Sequence, residues 1–232
     1  MPRDNFATEL DNAERGLLSE ANLVRQQLSR VTDALAHRNV ELAETVIVQD
    51  DPVDSIYLAT DSRVLNLIAL QTPVATDLRL VSAILHSNLH LERIGDLCVN
   101  IAKFVMNEHP YPIETAMVRT LREMGDRAGE MLDSAVHAFS ERDADLAEEL
   151  PIKDDALDLL NRTMIDHLRE YMSDPESYEW ASHLLLVARY LERIGDHAVD
   201  IGEQVAYLVT GVFREFTDAS HPDGVEYPTS FS

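Results

Sequence analysis

The sequence predicts an all-α protein made of two pseudo-symmetric three-helix bundles, six helices in all. Two observations carry that prediction. Apolar residues return at three- and four-residue steps, as in Val81, Ile84, Leu85, Leu91, Ile94, Leu97, Cys98, Ile101 and Val105, which is the period of an amphipathic helix. An eleven-residue phrase also occurs twice: "LERIGDLCVNI" at 91–101 and "LERIGDHAVDI" at 191–201 agree at eight positions, the mark of an internal repeat.

The elements follow in order. Glycine and proline are scarce, at 8 and 9 residues, and leucine, alanine and glutamate dominate, all good helix formers. Breaks at 37–39, 72–73, 109–112, 141–143 and 173–175 leave six helical segments. The first repeat is expected over 5–108 and the second over 113–216, joined by "NEHPYPIE" at 107–114. The second helices match at an offset of 104, "ELAETVIVQDDPVDSI" (41–56) against "DLAEELPIKDDALDLL" (145–160), and the third helices at an offset of 100. The missing four residues must fall around the hairpin tips. Thr72-Pro73 and Asp174-Pro175 each read there as a capping residue before a proline at the first helical position. The polar, proline-containing stretch 217–232 is expected to be a disordered tail.

Charge narrows the function. The 232 residues carry 42 acids against 19 bases, a net charge of −23. That disfavours nucleic acid and anionic membrane surfaces and suits a cation-binding or protein-binding role. Cys98 is the single cysteine, so neither an internal disulfide nor a cysteine-based zinc site is expected. With no signal-peptide pattern at the start and no run of about 18 apolar residues, a cytoplasmic protein without membrane insertion is expected.

The repeated phrase gains meaning from its spacing. Glu92, Asp96 and Asn100 lie four apart on the third helix, as do Glu192, Asp196 and Asp200 in the second copy, so each trio lines one helix face. Asp50 and Asp54, and Asp154 and Asp158, repeat that spacing on the preceding helices. Asp54 and Glu92 each lie 19 residues from Pro73, and Asp50 and Asp96 each 23. In the second copy, Asp158 and Glu192 each lie 17 residues from Pro175, and Asp154 and Asp196 each 21. In an antiparallel hairpin the acids therefore face one another, although the second arms are two residues shorter. Gly95 and Gly195 sit on the acid-bearing side, where a missing side chain either makes room for the cluster or simply permits close helix packing.

Such carboxylates need an answering positive charge or a proton. Arg93 and Arg193 are one residue off the stripe and are expected to point elsewhere. Protonation leaves the duplication unexplained, so metal ions are the favoured answer. All-oxygen donors indicate hard or borderline ions, namely magnesium, manganese, calcium or iron; zinc enters only as an ion on oxygen ligands. Asp200 gives the second site one more negative charge than Asn100 gives the first, so the second is expected to hold metal more tightly. His86 and His90 read as surface or core histidines, and Trp180 as core.

With these motifs in view, the chain resembles the PhoU family of phosphate-uptake regulators associated with Pst-type transporters. "IALQTPVATDLR" (68–79) and "YLERIGDHAVDIGEQVAYLVTG" (190–211) carry the likeness, which extends over roughly residues 5–215. The resemblance implies a homodimer and metal clusters on the E(D)-x-x-x-D motifs. By position these are Asp50, Asp54, Glu92 and Asp96, then Asp154, Asp158, Glu192 and Asp196. It also implies a non-catalytic repressor of phosphate-starvation signalling that contacts a transporter ATPase subunit and a sensor histidine kinase. The rival reading is a dinuclear metal enzyme on a helical bundle. Ferritin-like sites use Glu-x-x-His, and neither third helix has that pattern.

Overall fold

The computed structural model describes residues 3–107 and 111–216. Every regular element in them is an α-helix: α1 (Arg3–His37), α2 (Val40–Val48), α3 (Asp50–Gln71), α4 (Ala75–Met106), α5 (Ala116–Glu141), α6 (Ala144–Glu148), α7 (Leu150–Arg169) and α8 (Pro175–Thr210). The six expected segments are present, the second of each half being divided at Gln49 and at Glu149. Each half is thus a three-helix bundle: α1, α2–α3 and α4, then α5, α6–α7 and α8. The stretch 217–232, expected to be a tail, lies outside the described residues. None of the described helices is long and apolar enough to cross a membrane.

The repeat is visible in the joints. α1 and α5 both end on an arginine in the left-handed region, Arg38 (φ 50°) and Arg142 (φ 57°). Side chains hold both there: the Arg38 guanidinium lies over Tyr111, and that of Arg142 over Phe139 while it pairs with Glu14 at 2.7 Å. The next residue caps the next helix: Asn39 Oδ1 accepts from Leu42 N, and Asp143 Oδ1 from Leu146 N, both at 3.0 Å. A cap of this kind satisfies one of the orphan amides at the helix start and contributes about 1 kcal/mol.

The hairpin tips differ. Asp174 caps α8 through Ser177 N at 3.0 Å, with Pro175 in the first turn, as expected. Thr72 does not cap α4. It closes α3 in the left-handed conformation (φ 45°, ψ 60°), and α4 starts only after the extended Val74. An N-cap residue holds extended backbone; Thr72, left-handed and with its N–H bonded to Ile68 O at 3.3 Å, terminates a helix rather than beginning one.

The core lies along α1, α4, α5 and α8, which pack on one another across the two halves. Leu10, Ala13, Leu17, Val24, Val31 and Ala34 of α1 are all buried, at the alternating three–four spacing of a helix seam. Trp180 is buried, as expected. α4 and α8 cross antiparallel: His90 meets Asp200 at one end, while Phe104 lies 6.4 Å from His183 at the other.

Candidate metal centres

Each carboxylate cluster forms where the second segment of a half faces the third. Register follows from the glycines. A methyl group on Gly95 would lie 3.6 Å from Asp50 Oδ1, and one on Gly195 would lie 2.8 Å from Asp154 Oδ1. Both glycines thus open space for an aspartate of the facing helix. Glu92 lies in charge–charge range of Asp50, Asp54 and Asp96, and Glu192 of Asp158 and Asp196. The structure therefore gathers Asp50, Asp54, Glu92 and Asp96 into one cluster, and Asp154, Asp158, Glu192 and Asp196 into another.

The first cluster contains a residue that sequence reasoning missed. Glu20 of α1 is fully buried, with neither carboxyl oxygen hydrogen bonded. Burial, then the charges of Glu92 and Asp54, push its carboxyl up to about 9. Gln27, one heptad further on, donates from Nε2 to Asp50 Oδ1 at 3.4 Å. Both occupy the seam of α1, where the Leu10–Ala34 spacing calls for apolar side chains; that was the available signal. At the offset of 104, α5 presents the buried Met124 and Met131 instead.

Burial, and then the neighbouring acids of the same and the facing helix, also raise the Asp50 and Glu92 carboxyls, and Glu192 rises to about 7 for the same reasons. Basic side chains answer part of the charge. Contrary to expectation, Arg93 reaches the cluster, its Nε 3.5 Å from Glu92 and its Nη1 3.7 Å from Asp96. Its long side chain bends back over the stripe from the neighbouring position. In the second cluster Arg162 pairs with Asp158 at 3.2 Å, and Arg189 pairs with Glu192. These contacts leave Glu20 and one oxygen of Glu192 buried without hydrogen-bond partners. An orphaned buried carboxylate is costly, and an all-oxygen donor set suits magnesium, manganese, calcium or iron. The residues present fit such ions.

Asn100 and Asp200, one step further along each stripe, meet other neighbours, and Asp200 stays in charge–charge range of Asp196. Four helical residues turn the chain about 400°, so the stripe drifts about 40° per step. Asp200 contacts His90 and His197 at 3.2 and 3.3 Å. Asn100 lines a hollow with Lys103, Phe104, His183 and Tyr190. His90, read from sequence as a plain surface or core residue, is thus part of a polar contact between the halves.

Fold and site together define a duplicated three-helix-bundle protein with a carboxylate cluster in each copy. The chain belongs to the PhoU family: the PhoU domain matches residues 17–105 and 121–205, once per half. It is 32% identical over 223 residues to the "Phosphate-specific transport system accessory protein PhoU homolog" of Clostridium acetobutylicum, covering 94% of this chain and 100% of that one. The protein of the same name in Aquifex aeolicus is 35% identical over 206 residues, 88% of this chain and 92% of that one. The crystal structure of PhoU from Pseudomonas aeruginosa superposes with a TM-score of 0.81 at 33% identity, covering 89% of this chain and 99% of that chain. The phosphate transport system regulatory protein PhoU from Streptococcus pneumoniae gives 0.81 at 31% identity, over 90% and 98%.

Proposed function

We propose that this chain is a negative regulator of phosphate uptake and phosphate-starvation signalling. It acts without catalysis, as a homodimer, through contacts with the ATPase subunit of a phosphate transporter and a sensor histidine kinase. One observation carries the reading: the family match spans both halves, and the relatives are named as accessory or regulatory proteins of phosphate transport.

The carboxylate clusters support a metal-dependent form of that regulator. Glu20, Asp50, Asp54, Glu92 and Asp96 would hold ions in the first half, and Asp154, Asp158, Glu192 and Asp196 in the second. Bound metal supplies positive charge that lets the buried carboxyls ionise together. The protein's own part is to hold α1, α3 and α4, or α7 and α8, at the spacing that keeps those carboxyls face to face.

Deleting the gene in a strain with no second copy tests the function. Phosphate uptake and phosphate-starvation gene expression should rise at high and low phosphate alike, and the wild-type chain should restore repression. Intact repression at high phosphate in the deletion strain would count against the role.

A further inference from the structure

α4 and α8 bring His90, His197 and Asp200 together, with His197 and Asp200 in charge–charge range of Asp196 of the second cluster. His90 Nδ1 lies 3.2 Å from His197 Nδ1 and 3.2 Å from Asp200 Oδ2, and His197 Nδ1 lies 3.3 Å from the same oxygen. The three atoms form a nearly equilateral triangle. A tetrahedral ion with bonds of about 2.0–2.1 Å spaces its ligand atoms about 3.3–3.4 Å apart. An octahedral ion with bonds of about 2.0–2.1 Å would space them about 2.9 Å apart. The triangle has the dimensions of one face of a tetrahedral shell.

Hydrogen bonding alone does not account for it. A neutral ring Nδ1 either donates or accepts. With Asp200 ionised, two donors face each other across the His90–His197 edge, or a ring lone pair faces the carboxylate. Every tautomer assignment leaves at least one edge repulsive, whereas a central cation makes all three attractive.

The internal repeat supplies an independent comparison. At the offset of 100, His90, His197 and Asp200 correspond to Tyr190, Leu97 and Asn100, which offer no such donor set. Three differences between the copies thus converge on one point. We propose that His90, His197 and Asp200 bind one borderline transition-metal ion of tetrahedral preference, zinc by its donor set, between the two halves. The three side chains are 21%, 16% and 41% exposed, so the ion has a path from solvent and its fourth position is within reach of water.

Cobalt(II) titration of the metal-stripped full chain tests this by a signal the carboxylate clusters do not give. Tetrahedral cobalt on nitrogen ligands absorbs strongly in the visible, and octahedral cobalt on oxygen only weakly. We expect an intense band that saturates at one cobalt per chain and is displaced by zinc. His90→Tyr and Asp200→Asn, each the residue of the other repeat, should abolish it while far-ultraviolet circular dichroism stays unchanged; His86→Gln should leave it intact. A wild-type chain without the band overturns the proposal. So does a band that persists in Asp200→Asn, the near-isosteric variant that keeps the fold even if His90→Tyr does not.

Discussion

Gly195 of α8 lies directly over Asp154 of α7: a methyl group there would meet Asp154 Oδ1 at 2.8 Å and Leu157 Cδ2 at 2.5 Å. Its counterpart Gly95 is looser, with Gln27 Oε1 at 3.3 Å and Asp50 Oδ1 at 3.6 Å. Both glycines cost about 1 kcal/mol of helix propensity relative to alanine. Gly195→Ala should destabilise the chain by up to about 2 kcal/mol, the usual overpacking cost of about 1–3 kcal/mol less the helix propensity recovered. Gly95→Ala asks only the amide of Gln27 to shift and should be at least as stable as wild type. Urea denaturation of the two variants checks this; equal losses would mean that the two helix pairs pack alike.

Glu20 predicts a pH dependence. Its folded-state value is raised, from an ordinary 4.5 to about 9. Between those values the folded metal-free chain binds more protons than the unfolded one. The stability associated with Glu20 is therefore fully present below about pH 4.5 and is lost as pH rises through about 9. The slope from this one group is at most about 1.4 kcal/mol per pH unit. Glu20→Gln should be more stable than wild type without metal, by a margin that widens from about pH 6 to about pH 9. A constant margin would place the ionisation elsewhere.

The two clusters should also differ in metal affinity, in the order opposite to the one the sequence suggests. Asp200 is shared with His90 and His197, and Met124 stands where the first cluster has Glu20. Arg162 and Arg189 already pair with acids of the second cluster. Under stepwise chelation, metal should leave the second cluster first, and Glu20→Met should remove that difference. Loss from the first cluster first would show that ligand geometry and supporting hydrogen bonds outweigh the charge count.

The fold was legible because helical period and duplication reinforce each other in every segment. The gathering of Asp50 and Asp54 with Glu92 and Asp96, and of Asp158 with Glu192 and Asp196, was legible for a similar reason: two helices joined by a short turn fix their own register. What crosses between distant segments was not. Glu20 reads as an ordinary surface acid until the seam of α1 is drawn through Leu17 and Val24, which places it inside. Asp200 continues a four-residue stripe on paper, yet helical drift carries it to another neighbour. Only tertiary structure pairs it with His90, more than a hundred residues earlier.

Bound metal is the most direct measure of what the duplicated carboxylates are for. The chain should be purified without chelators or affinity metals and its iron, manganese, magnesium, calcium and zinc determined. Wild type should be compared with a folded variant carrying Glu92→Gln, Asp96→Asn, Glu192→Gln and Asp196→Asn. The expected result is metal on the wild-type chain and its loss from the variant, apart from any ion held by His90, His197 and Asp200. A wild-type chain that takes up no more metal than the variant, even when the ions are supplied, would contradict the metal reading of both clusters.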